Sequence, residues 1–495
     1  MKVRGSPRNE VKKIANFLKS GCKSLPSHVL MSLDSVKNIY ILRLPFEMWK
    51  LINCFIFLFA ALYGEHLEVS LPTRSLVKPL YISRIHTDPS EWDWRYFDEL
   101  RSILEFDMNQ GGFVSVAPIR QELEDTLDWD AFRKNFPIDR WKKEQFPYLA
   151  AVEVAQKQLL LTVVDIEKET SKTYPAIPLS GCMETDRKGI HRLADAIHKD
   201  LFNSEGIASL RILYAQRVKN PASEGLGWLS EIWICDADGA NARQLTNEQG
   251  YCLSPGFLPN HMNRSDFFYV YNNEGQSKIY RASLSNPQKE LLVSLRGNQV
   301  LPAASKLGNQ IAFITDVAGR PDLFLQKLDS KKRMVGRARQ IFSAPRATQA
   351  SPTFSPDGKQ IAFVSDKDGP PRIYLLDIPA PKETQRPKPK LLTTKNRENT
   401  CPAWSPDGKK LAYSAKADGA RQIWIYDFET QTEQQLTTGP ETKENPAWAP
   451  NSLHLVYNTE DNDNGELYLI HIMHPQPVLI SKGSGQKRFP SWELR

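Results

Sequence analysis

The chain of 495 residues is long enough for two or three domains, and its 41% hydrophobic and 24% charged residues are those of an ordinary globular protein. The formal charge of +7 lies wholly in residues 1–64, which hold ten Lys/Arg and three Asp/Glu, whereas the other 431 residues carry 54 side chains of each sign. A neutral body excludes counterion release onto a phosphate backbone as the main source of affinity, so nucleic acid is not an expected partner.

Residues 1–47 are basic and fit no export pattern, and translation is expected to start at Met48, leaving 1–47 a doubtful N-terminal extension. The rival reading is an anchored, slightly longer leader. Lys50 precedes a mainly apolar run over 51–63 with Ala60, Ala61 and Gly64 at its end. That is the layout of a signal peptide over 48–64, too short for a membrane span of about 20 residues. A buried core helix is the alternative.

Residues 65–205 read as a small α/β domain. Strands are expected at 78–85, 148–154 and 158–166. Asp88 as cap, Pro89 and Glu91 open a helix whose apolar face is Trp92, Tyr96, Leu100, Ile103 and Leu104. A second helix over 186–202 carries Ile190, Leu193, Ala194, Ile197 and Leu201 at helical spacing. The stretch 122–144 reads as an irregular insertion and 203–208 as a connector.

From 206 onward a repeat takes over. Ser351-Pro352-Thr353-Phe354-Ser355-Pro356-Asp357-Gly358 recurs as Cys401-Pro402-Ala403-Trp404-Ser405-Pro406-Asp407-Gly408 and, degraded, as Asn445-Pro446-Ala447-Trp448-Ala449-Pro450-Asn451. Weaker copies are centred on Pro255 and Pro302, and Phe489-Pro490-Ser491-Trp492 ends the series; the six prolines are 47, 50, 50, 44 and 44 residues apart. In the turn, Pro356 and Pro406 set φ, Asp357 and Asp407 bond the turn backbone, and Gly358 and Gly408 accept a positive φ. Four short antiparallel strands per unit make one propeller blade. The last proline-marked strand has no partners after it, and the strands at 210–216, 231–235 and 243–246 have none before them. The tail, with Phe489, Pro490 and Trp492, is therefore expected to supply the missing strand and close a six-bladed β-propeller over 206–495. The fold class is an α/β N-terminal domain followed by an all-β propeller.

No catalytic, cofactor or metal site is expected. The chain has no G-x-S-x-G elbow, Walker A loop, H-E-x-x-H or EF-hand pattern. His471 and His474, three apart on a strand, would point to opposite faces; His191 and His198 on a helix lack a third ligand. Phe354, Trp404, Trp448 and Trp492 read as blade packing. Cys182, Cys235, Cys252 and Cys401 show no metal spacing; Cys235 and Cys252 could bridge in an oxidising compartment, but unpaired buried thiols are the expectation.

A signal peptide, a small α/β domain and six blades ending in Lys487-Arg488-Phe489-Pro490-Ser491-Trp492 resemble the TolB family, as does the passage from His191 through Ile207-Ala208-Ser209 into Leu210-Arg211-Ile212-Leu213-Tyr214. The resemblance implies a non-enzymatic, monomeric periplasmic hub of the Tol–Pal system. Such a hub binds a Pal-like peptidoglycan-associated lipoprotein through its propeller and a TolA-like inner-membrane protein through its mature N-terminus. It supports outer-membrane integrity and invagination during division, and meets membranes only through partners. By position, Leu67, Val69 and Leu71 in the segment 65–75 would form the TolA-facing arm; an edge strand of their own domain is the other reading. A propeller hydrolase or lyase, and a cell-wall glycan binder, are the competing functions.

Overall fold

The computed structural model describes residues 77–87, 92–125, 127, 138–220, 227–259, 265–273, 275–286, 288–380, 387–417, 419–461 and 464–494. The expected extension, signal peptide and arm, including Leu67, Val69 and Leu71, lie outside the described residues, as do Asp88, Pro89 and Glu91.

The α/β region is one sheet in the order Val114–Val116, Lys78–Ile82, Tyr148–Ala155, Gln158–Asp165, Thr170–Thr173. Its first three strands are parallel and the rest antiparallel. Alternation along Lys78–Ile82 sends Leu80 and Ile82 to one face and Tyr81 to the other. The helices Trp94–Gln110 and Met183–Phe202 cover the first face with Leu100, Leu104, Ile190, Leu193 and Ile197. The described part of the first helix begins later than the sequence suggests, at Trp94, where the Asp93 carboxylate accepts from the Arg95 amide at 3.2 Å. The stretch 122–144 is not wholly irregular. Short helices at Gln121–Glu124 and Ile138–Lys143 bring Leu123 and Trp141 against Tyr81, Leu149, Val164 and Ile166. The parallel strands need both faces covered, and these helices supply the second cover.

From Arg211 on, the described regular structure is all strand. The strands fall into four-stranded groups, each a meander from an inner, proline-bearing strand outward. Four are separate sheets, beginning at Gln299–Ala304, Gln349–Phe354, Asn399–Trp404 and Thr442–Trp448. Two more share a sheet, joined by a single parallel pair, Tyr251 with Ser230. In one of these, the C-terminal strand Gln486–Trp492 pairs antiparallel with Arg211–Lys219, followed by Trp228–Asp236 and Arg243–Gln244.

Each proline sits at a defect in its strand. The register shifts between Leu253 and Gly256, Val300 and Ala303, Ala350 and Thr353, Thr400 and Ala403, Glu444 and Ala447, and Arg488 and Ser491. The residue before each proline (Ser254, Leu301, Ser351, Cys401, Asn445 or Phe489) has φ between 42° and 54°. A bulge is where a strand tolerates a residue with no N–H to give, and so the repeat keeps proline there.

The two best-preserved turns are alike in detail. Ser355 Oγ donates to Asp357 Oδ1 at 2.6 Å, and that oxygen accepts from the Lys359 amide at 3.1 Å. Ser405, Asp407 and Lys409 repeat this at 2.6 and 3.0 Å. Pro356 and Pro406 precede these aspartates, and Gly358 and Gly408 follow them with φ of 68° and 81°. A Cβ at Gly358 would meet nothing within 4 Å, so only backbone strain opposes a side chain there. Gly358→Ala is expected to cost about 1–2 kcal/mol in urea unfolding and Gly358→Asn distinctly less; equal costs would contradict the turn assignment.

Candidate functional site: a buried junction and a charged cavity

Ionisable side chains converge where the two long helices meet the propeller strands. His191, buried on the second helix, takes Asp107 of the first helix at 2.7 Å through Nδ1. Its Nε2 lies 3.9 Å from Asp238, in the turn after Trp228–Asp236. One turn earlier on the same helix, Arg187 pairs with Asp238 and lies 3.5 Å from Asp236, which also accepts from Asn241 at 2.7 Å. Burial pushes the Asp107 carboxyl up to about 6 against the pull of His191. Burial opposes a proton on His191, yet Asp107 and Asp238 outweigh it and raise its pKa. The Asp236 carboxyl is likewise raised by burial. His191, Asp236 and Asp238 are close enough to converge on one cation, but the Arg187 guanidinium already fills that role.

Seven residues on, His198 faces the same junction. Its Nε2 is 3.4 Å from the Asp107 carbonyl, and His454 Nε2 donates to the Gln110 carbonyl at 2.6 Å. The His454 and His471 rings are 4.7 Å apart, and those of His471 and His474 are 5.4 Å apart. Close approach is possible because the first helix ends in two glycines: a Cβ on Gly111 would fall 1.7 Å from His198, and one on Gly112 2.6 Å from His471. The crevice between these groups encloses about 10 Å³, room for one water.

A second feature lies at the other end of the strand His454–Glu460, about 20 Å along its length. Here a cavity of about 440 Å³ is lined by Arg217, Thr442, Glu460, Asp461, Gln486 and Arg488. Arg488 pairs with Glu460 at 3.0 Å, and the Arg217 guanidinium stacks 4.0 Å over Trp228. Deeper along the inner strands, burial, helped by Glu444, pushes the Cys401 thiol up to about 12, so it is no nucleophile at neutral pH.

One sequence expectation is corrected outright. His471 and His474 are not on opposite faces of one strand. They end Leu467–His471 and begin His474–Leu479, directly opposite each other across a two-residue turn, because Ile472-Met473 reverses the chain without Gly, Pro or Asn. Cys182, Cys235, Cys252 and Cys401 are all free. Phe354 and Trp492 are buried, Trp404 stacks on Phe428 at 4.8 Å, and Trp448 Nε1 donates to the Ala403 carbonyl of the preceding inner strand at 3.0 Å. Phe489 and Pro490 lie at the bulge of the C-terminal strand. Sequence reading missed Asp107, Arg187, Asp236 and Asp238; the heptad spacing of His191 and His198 was the available signal.

An α/β region docked through buried charges onto bulged four-stranded groups defines a propeller-bearing protein. The TolB beta propeller domain matches residues 199–494, and the chain belongs to that family. The TolB homolog of Protochlamydia amoebophila is 42% identical over 300 residues, 59% of this chain and 63% of the relative; that of Chlamydia felis is 35% identical over 288 residues, 58% and 62%. The matched part thus spans less than two thirds of these curated relatives. The crystal structure of TolB from Acinetobacter baumannii superposes with a TM-score of 0.66 at 23% identity, covering 84% of this chain and 96% of that one, a likeness of fold.

Removing Arg187 strands the buried Asp236 carboxylate and the half-buried one of Asp238. Arg187→Ala is expected to cost about 3–5 kcal/mol in urea unfolding, and adding Asp238→Asn to recover part of it; a loss under about 1 kcal/mol would show that the cluster does not hold the junction.

Proposed function

We propose that this chain is a non-enzymatic, protein-binding hub of the Tol–Pal system in the periplasm. The single observation that carries the reading is the match to the TolB beta propeller domain across residues 199–494, joined by relatives called TolB homologs. A six-bladed ring closed by the C-terminal strand is part of the proposal. It is supported by the pairing of Gln486–Trp492 with Arg211–Lys219 and by the way neighbouring inner strands touch in sequence, with Gln486–Trp492 lying against both Thr442–Trp448 and Tyr251–Phe257. The junction suits a structural role, since its buried titratable groups are tied to one another.

The finer assignments rest on family likeness. The propeller engages a Pal-like peptidoglycan-associated lipoprotein. The segment 65–75, with Leu67, Val69 and Leu71, engages a TolA-like inner-membrane protein by strand addition. Residues 48–64 direct export, 65–205 and 206–495 are the two domains, and the monomeric protein supports outer-membrane integrity and invagination during division. No cofactor or metal is assigned.

In-cell crosslinking of the tagged protein, with mass spectrometry of captured partners and of its own N-terminus, tests this. The expected outcome is a Pal-like lipoprotein and a chain that begins near Glu65. Recovery of no envelope protein, or of a chain that retains residues 1–47, would contradict the corresponding part.

A further inference from the structure

We infer that the cluster of His198, His454 and His471 is an acid-sensitive latch that holds the α/β region on the propeller strands at neutral pH and releases it on acidification. The three rings come from different elements: His198 from the second long helix, and His454 and His471 from two paired strands of the last four-stranded group. All three are buried, and together they face the glycine-ended terminus of the first helix.

Hydrogen bonding fixes where each proton sits. His454 Nε2 gives its hydrogen to the Gln110 carbonyl at 2.6 Å, and its Nδ1 accepts from the Asn451 amide at 3.0 Å. His471 Nδ1 accepts the Met473 backbone N–H at 3.2 Å, so the neutral ring carries its hydrogen on Nε2, which is buried without a partner beside Gly112. In both rings a second proton must enter at Nδ1, where another donor already points. Protonation therefore breaks a hydrogen bond as well as burying a charge.

Among the described residues no carboxylate is hydrogen-bonded to these three rings, and although Asp195 favours a proton on His198, burial outweighs it. The carboxylates that face the cluster are committed elsewhere: Asp107 to His191, Asp195 to the amides of Ala208 and Ser209, Glu205 to Lys199, and Asp236 and Asp238 to Arg187. His198 reaches only the Asp107 carbonyl, packed between Phe113 and Phe202, and His474 adds a further imidazole against His471. In line with this geometry, burial pulls His454 down to about 4 and His471 to about 3, each with a neighbouring imidazole adding to the effect, and burial lowers His198 as well.

The sign follows. A histidine depressed in the docked state contributes docking that is fully present above about 6.5 and lost as pH falls toward 4. Asp107 and His191, both raised, act in the opposite direction and favour docking in acid. The two strongly depressed histidines, His454 and His471, outweigh that pair, so docking weakens by about tenfold per pH unit between about 6 and 4.

Hydrogen–deuterium exchange on the full chain, corrected for intrinsic rates, reads this directly. Between pH 7.5 and 5.0, protection of residues 108–116 and 469–476 is expected to fall at least tenfold while Gln310–Thr315 and Asp322–Leu328, remote from the junction, keep theirs. The double variant His454→Gln, His471→Leu, verified as folded by its protection at pH 7.5, is expected to lose most of that pH dependence. Unchanged protection of the junction at pH 5.0 would overturn the latch. So would equal loss in all four segments, which reports global acid unfolding.

Discussion

The pairing of residues 486–492 with 211–219 is the constraint on which the rest of the propeller depends. Without it, Arg211–Lys219 would be an open edge in a protein built of short strands, with unpaired N–H and C=O groups along one side. Three ion pairs reinforce the strand. Lys487, fully buried, reaches Glu466 at 3.1 Å; Arg488 reaches Glu460 at 3.0 Å; and Arg211 grips Glu493 with contacts of 2.9 and 2.5 Å. Such a contact joins residues some 280 positions apart, and the entropy of that closure has to be offset by the interfaces between all the intervening groups.

The C-terminal strand borders one feature of interest, and its neighbour borders both. Gln486 and Arg488 line the charged cavity, and the neighbouring strand His454–Glu460 carries Glu460 at that cavity and His454 at the junction. A single strand, paired on both sides, thus spans from the junction to the cavity.

Much of this architecture was legible in the sequence because the repeat leaves a mark in residues with narrow conformational uses. Proline at 255, 302, 352, 402, 446 and 490 falls within inner strands, and Ser-Pro-Asp-Gly gives the turns. What the prolines do there was not legible: they mark bulges, which depend on a partner strand that periodicity does not reveal. The hairpin between His471 and His474 was missed for a related reason, since its turn uses Ile472 and Met473. The short helices with Leu123 and Trp141 escaped because a four-residue helix has no periodic signature. Beyond the spacing of His191 and His198 the junction left no mark, because Asp107, Arg187 and Asp238 come from separate stretches and are ordinary in each.

The central claim is that the C-terminal strand belongs to the same cooperative unit as the first strand group. Native-state hydrogen exchange at pH 7.5 tests it most directly. The account predicts that the hydrogen-bonded amides of residues 487–492 and 212–216 exchange with one shared free energy, that of global unfolding. Exchange of 487–492 at the rate of a frayed terminus, with 212–216 still protected, would contradict it.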